Sequence, residues 1–98
     1  MYAICTYTWD MHVEWDESKR KANLRKHGVE FADAVSILDD PCAVTIEDRD
    51  HDEQRFITLG MDAFGRLLVV VYAYREPDAI RLISARQAEP HERRQYED

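Results

Sequence analysis

Apolar and polar residues alternate through "HVEW" (12–15), the two-residue period of a strand with one buried face. Asp16 follows as a helix cap, and the helix it opens runs to about His27, where Gly28 supplies the left-handed stop. Phe31, Ala34, Val35 and Leu38 then recur at i, i+3, i+4 and i+7, one apolar stripe of a second helix that "DDP" (39–41) closes. Four strand signals come next, at 42–46, 55–59, 67–74 and 80–85, separated by the turn-rich stretches "EDRDHDE", "GMDAFG" and "REPD". Connections this short favour an antiparallel meander. "LLVVVYAY" (67–74) is apolar on both faces, which places it at the centre of the sheet with helices over at least one side. A last helix begins near Glu89, because Pro90 suits a first helical turn. The pattern therefore predicts an α+β domain: strand, two helices, four-stranded meander, helix.

Composition narrows the class. Ninety-eight residues are one domain, and 45 % hydrophobic with 34 % charged residues is the balance of a folded soluble chain. The longest apolar run, Leu67 to Ala73, is too short to span a bilayer, and "MYAICTYTWD" lacks the basic start and long apolar centre of a signal peptide. Two cysteines, Cys5 and Cys42, make no disulfide framework, so the cytoplasm is the expected compartment. The net charge is −7, and it is unevenly placed. Residues 39–53 hold seven acids against the single base Arg49, −6 of that total. "KRKANLRKH" (19–27) holds five Lys or Arg and no acid. Such a chain has no general affinity for nucleic acid, yet a local face can still bind anions, because exposed charges act over only about 10 Å at ordinary salt.

Candidate chemistry collects at the C-terminal end, in "ISARQAEPHERRQYE" (83–97). Side chains of these kinds contact phosphate and move protons: a base and an acid transfer the protons, and cations hold the charge on a phosphate. Arginine suits the last role, since its planar fork binds two phosphate oxygens and stays protonated. Arg75 and Arg86 end the last two predicted strands, which as antiparallel neighbours set them at opposite edges of the sheet. Arg81 lies inside the last strand on the face opposite Ile80 and Leu82. On the final helix Glu92 and Tyr96 are i, i+4, and Arg93 and Tyr96 are i, i+3, both spacings that share a face. A carboxylate beside a phenol and a guanidinium can serve as base and acid. The same residues equally suit a structural Arg86–Glu92 ion pair with the Tyr96 ring packed on the sheet. Lys26 and His27 end the first helix, where His27 is an acid–base candidate and a cation also complements the helix's negative end. Lys19, Lys21, Arg25 and Lys26 can hold phosphates, an acidic stretch of a partner, or solvent.

Other patterns lead nowhere. Asp48, Asp50 and Asp52 mimic the first ligands of a calcium loop, but Glu53 stands where the loop needs glycine and Leu59 where it needs glutamate. "DRDHDE" is then a hairpin loop kept soluble by its acids. No zinc spacing, G-x-S-x-G or phosphate-binding glycine loop occurs, so no metal or cofactor is expected. Trp9 and Trp15 can stack on bases, although Trp15, beside the first helix, reads as core.

"VEWDESKRKANLRKHGVEFADA" (13–34), "DP" (40–41), Asp48 and His51, "GRLLVVVYAYR" (65–75) and "RLISARQAEPHERRQYE" (81–97) resemble the BrnT toxins of bacterial type II toxin–antitoxin systems. The resemblance runs from Met11 to Glu97. It implies a RelE-like fold and a metal-independent endoribonuclease that inhibits translation. It also implies neutralisation by a BrnA-like antitoxin, with which the toxin autorepresses its operon; operator DNA is then touched only through the antitoxin. A heterotetramer of two toxins and two antitoxins follows from the same resemblance, as does the choice of His27, Arg75, Arg86, Glu92 and Tyr96 as catalytic candidates. Lys19, Lys21, Lys26, Arg81 and Arg93 are the RNA-binding candidates, and His51 is carried by the motif without a defined role. Family members begin near Met11, which makes residues 1–10 an N-terminal extension and 11–98 the toxin domain. The alternative is a non-catalytic interaction module, a decayed toxin that serves only as antitoxin partner and co-repressor.

Overall fold

The computed structural model describes residues 2–6, 12–49, 53–75 and 78–97, the first of these segments by its backbone alone. His51, Trp9 and Met11 lie outside the described residues. Strand β1 (Tyr2–Thr6) precedes β2 (His12–Asp16), helix α1 (Glu17–His27) and the short helix α2 (Phe31–Ala34), which continues as a 3₁₀ turn over Val35–Asp39. Strands β3 (Val44–Asp48), β4 (Arg55–Met61), β5 (Leu67–Arg75) and β6 (Ala79–Gln87) follow, and helix α3 (Pro90–Glu97) ends the chain. The six strands form one sheet in the order β1-β2-β6-β5-β4-β3. The meander is antiparallel, as the short turns require, whereas β2 runs parallel to β6, the two helices forming the crossover between β2 and the meander. The fold is α+β as expected, with "LLVVVYAY" in the interior of the sheet.

Local chemistry accounts for the boundaries. The Asp16 carboxylate accepts from the Ser18 and Lys19 N–H groups, and Gly28 closes α1 at φ 70° with its N–H on the Leu24 carbonyl. The second helix departs from expectation. A regular α-helix would bury Leu38, but the 3₁₀ turn, with three residues per turn, brings Ile37 inward and leaves Leu38 half-buried. Phe31, Ala34 and Ile37 are fully buried on that spacing. The third strand begins at Val44 rather than Cys42, because the Asp40 side chain and carbonyl hold the Cys42 and Ala43 N–H groups in a turn.

The main core lies between the helices and one face of the sheet: Val13 and Trp15 of β2, Leu68, Val70 and Tyr72 of β5, Ile80, Leu82 and Ala85 of β6, with Phe31, Ala34 and Ile37 above them. Trp15 meets Phe31 edge-on at 6.1 Å, which bears out its reading as core. Burial of each large side chain there contributes about 1.5–3 kcal/mol. Helix α1 buries only Asn23. That side chain substitutes for a missing strand, since β2 pairs with β6 only as far as Leu82. Beyond it the Asn23 Oδ1 accepts from the Ala85 N–H at 3.0 Å, and Nδ2 donates to the Ala85 carbonyl at 2.8 Å and the Val29 carbonyl at 3.1 Å.

Candidate active site

Strict alternation along β6 would put Arg86 on the same face as Ile80 and Leu82, in the core. The register prevents this. Val71 pairs with Ser84 while Tyr72 pairs with Leu82, so Ile83 is an extra residue, a β-bulge. Past the bulge the parity reverses: Ala85 enters the helix-side core and Arg86 emerges on the other face, opposite Val69. Arg81, before the bulge, already points to that face, away from Ile80 and Leu82. One inserted residue therefore sets both arginines on one side of the sheet.

Among the described residues α3 is the one helix on this second face, at the end away from β2. Ala88 and Tyr96 pack on Leu59, Leu67 and Val69 there. Beside α3 lies a groove of about 250 Å³ with walls from Val44, Ile46, Ile57, Leu59, Val69 and Val71, and polar groups from Ser84, Arg86, Glu92 and Gln95. Arg86 binds Glu92 through both prongs, Nη1 to Oε1 and Nη2 to Oε2, each at 2.8 Å. Glu92 Oε1 also accepts from the Glu89 N–H, which caps α3. The Arg86 guanidinium foremost, and that N–H after it, pull the Glu92 carboxyl down to about 2. Four residues on, the Tyr96 hydroxyl donates to Asp40 Oδ2 at 2.6 Å, and the carboxylate pushes the phenol up to about 12. Asp40 in turn stays below the usual carboxylate range, through Tyr96 and then the Met61 N–H at 2.8 Å. At neutral pH Glu92 is an anion of low basicity and Tyr96 a retained proton donor.

The remaining candidates fall into two groups and two outliers. Lys19, Lys26 and His27 line a second depression of about 300 Å³ with Asn23, Ile83 and Ser84. Ser84 borders both depressions, so the α1 cations and Arg86 flank one residue of the bulge. Arg75 and Arg81 sit at the opposite end of the face. Arg75 is 3.8 Å from Glu14, and Arg81 Nη2 donates to Glu53 Oε1 at 2.6 Å, an oxygen that Arg55 Nε reaches at 3.3 Å. Arg75 and Arg86 do not meet, as their positions on antiparallel strands indicated. Lys21 is exposed on α1 and does not line the depression with Lys19 and Lys26. Arg93 is exposed about 200° around α3 from the groove-lining Gln95. Sequence reasoning missed Ser84 and the bulge, for which no local signal exists, and Glu53. The "DP" of the motif carries no sign that Asp40 anchors α3. Among the described residues no group of His, Cys, Asp and Glu could hold a metal ion, and no helix is long and apolar enough to cross a membrane.

Comparison with known proteins adds a family to this geometry. Residues 15–92 match the model of the family described as the ribonuclease toxin, BrnT, of type II toxin–antitoxin systems. Among solved structures the chain is similar to the 1.1 Å crystal structure of the Brucella abortus ribonuclease toxin BrnT, at 28 % identity and a TM-score of 0.63, over 76 % of this chain and 92 % of that one. No curated protein matches.

Proposed function

The chain belongs to the BrnT family of ribonuclease toxins of type II toxin–antitoxin systems, and from that premise we propose that it is itself an active, metal-independent endoribonuclease, cytoplasmic and RelE-like, that cleaves RNA and so stops translation. The observation that carries the reading is the placement of Arg86: a guanidinium fork on an open sheet face, in a groove that shares its lining residue Ser84 with the depression of Lys19, Lys26 and His27. RNA lies across the bulge with its backbone along Lys19 and Lys26, and a phosphate displaces Glu92 from the Arg86 fork. His27 takes the 2′-hydroxyl proton, the 2′ oxygen bonds to phosphorus, and the bond to the 5′ oxygen breaks as Tyr96 donates its proton there. The products are a 2′,3′-cyclic phosphate and a 5′-hydroxyl, and Arg86 stabilises the charge that develops between them. Arg75 and Arg81 steer the strand at the far end of the face, while Lys21 and Arg93 lie off this path. A BrnA-like antitoxin neutralises the toxin in a two-plus-two assembly that represses the operon, with DNA contacted by the antitoxin. Residues 11–98 are the toxin domain in this reading, and β1 of the extension is an addition at its sheet edge.

Inducing the chain from Met1 and from Met11, with total RNA examined alongside, tests the proposal. Growth arrest with RNA decay, both lost in Arg86→Ala, is expected. Normal growth with folded wild-type protein overturns it. One observation favours the second reading, a non-catalytic co-repressor: both prongs of Arg86 are already occupied by Glu92. A decayed toxin would bind its antitoxin with full strength and leave RNA intact.

A further inference from the structure

Strand β3 is the outermost strand of the meander side of the sheet. Exposed edge strands are ordinarily protected by lysine, proline or a bulge, because their free backbone groups invite another strand. "VTIED" has no lysine, proline or bulge; its charges, Glu47 and Asp48, stand at one end, and its two aliphatic side chains are the wrong kind for solvent: Val44 is 42 % exposed and Ile46 59 %. Both point to the open face, where Ile57, Leu59, Val69 and Val71 continue the apolar surface into the groove. An apolar floor that reaches a strand with no further strand beside it among the described residues is an interaction surface.

Charge decides what fits it. The segment 39–53 that contains β3 carries −6, with Arg49 as its sole base. A second copy paired edge to edge through the same strand would bring the same −6, and RNA laid along this edge would bring phosphates, so both are repelled. A cationic protein segment is attracted. We propose that β3 and the apolar groove beside it receive an extended, lysine- or arginine-flanked segment of the antitoxin, which adds a seventh strand to the sheet and seats alternate apolar side chains beside Val44 and Ile46. The groove ends at Arg86 and Glu92. A strand in place there closes the approach to the Arg86 fork, so docking and neutralisation are one event. This inference rests on the toxin–antitoxin reading for the existence of its partner, but not on catalysis.

Amide hydrogen exchange on the full chain, alone and with the antitoxin encoded beside it, tests the surface. Exchange within Val44–Asp48 is expected to slow at least tenfold on binding, and Ile46→Lys, which sets a cation in the apolar surface, to weaken binding at least tenfold while its circular dichroism stays that of the folded wild type. Val44→Thr, a milder change, is expected to weaken binding by a smaller factor. The proposal is overturned by antitoxin protection confined to α1 or to the β1 edge, by unchanged binding of Ile46→Lys, or by no binding at all. Concentration-dependent protection of β3 in the chain alone would assign the surface to a second copy, and protection by an oligoribonucleotide would assign it to RNA; either overturns it. If the wild type fails to arrest growth, the ribonuclease reading falls while the exchange map still decides where the antitoxin sits.

Discussion

Tyr96 has two roles that a single substitution would confuse. Its hydroxyl is both the proposed proton donor and the anchor of α3 on Asp40. Tyr96→Phe removes both, whereas Asp40→Asn keeps the phenol, takes away the charge that pushes it up to about 12, and loosens the anchor, because an amide N–H₂ replaces one of two oxygens that accept from Cys42 on one side and from Met61 and Tyr96 on the other. As a proton donor, Tyr96 predicts at least a tenfold loss of RNA cleavage in Tyr96→Phe and retained cleavage in Asp40→Asn. Equal losses in the two, measured on one oligoribonucleotide at one pH, would show that Tyr96 acts by fixing α3 alone. The i, i+4 spacing of Glu92 and Tyr96 was legible in the chain; their partners were not. Both readings of that pair rested on Arg86 and on the sheet, while the carboxylate that anchors Tyr96 is 56 positions away.

Among the elements, α3 is the most weakly held. It has no fully buried residue, and it is attached through the Arg86–Glu92 pair, the Tyr96–Asp40 hydrogen bond and the packing of the Tyr96 ring. The pair gives this attachment a pH dependence whose sign follows from the direction of the shift. The folded Glu92 carboxyl sits at about 2, below its ordinary value of 4.5, so its contribution is complete above 4.5 and disappears as pH falls toward 2. With Glu92 18 % and Arg86 36 % exposed, solvent screening reduces that contribution to about 1–2 kcal/mol. Glu92→Gln is therefore expected to be less stable than wild type by that amount at pH 7, and to converge with it near pH 2, by denaturant unfolding at each pH. A constant difference across the range would mean that the carboxylate's charge contributes nothing. The helices also show where element-level reading stops. Asp16 and Gly28 mark α1 unambiguously because caps are local chemistry, whereas the 3₁₀ tightening that turns Ile37 inward comes from packing on β4, where Gly60 admits the Ile37 backbone and Cβ to a position that any larger residue would contest.

For the whole molecule, a charge of −7 confines RNA to the few cations that share a path. With Lys19, Lys26 and Arg86 as the phosphate contacts, log affinity should fall against log salt with a slope of about −2, since each single-strand contact contributes roughly −0.7. Lys19→Gln with Lys26→Gln should reduce the slope to about −0.7. An unchanged slope would place the RNA elsewhere on the molecule. The chain by itself determined what depends on near neighbours and on periodicity: the α1 caps, the antiparallel meander, the interior position of "LLVVVYAY", and the concentration of acids around β3. The family motif it carries is of the same linear kind. Only the tertiary structure decided the face on which Arg86 emerges, because one bulged residue at Ile83 reverses the alternation that pattern reading assumes. It likewise decided that Asn23 completes the β6 ladder, that β2 joins β6 in parallel, and that β3 is left at an edge. These are matters of which segments meet across long stretches of chain. A local pattern reports the period of a segment and the chemistry of its ends, but not its partner.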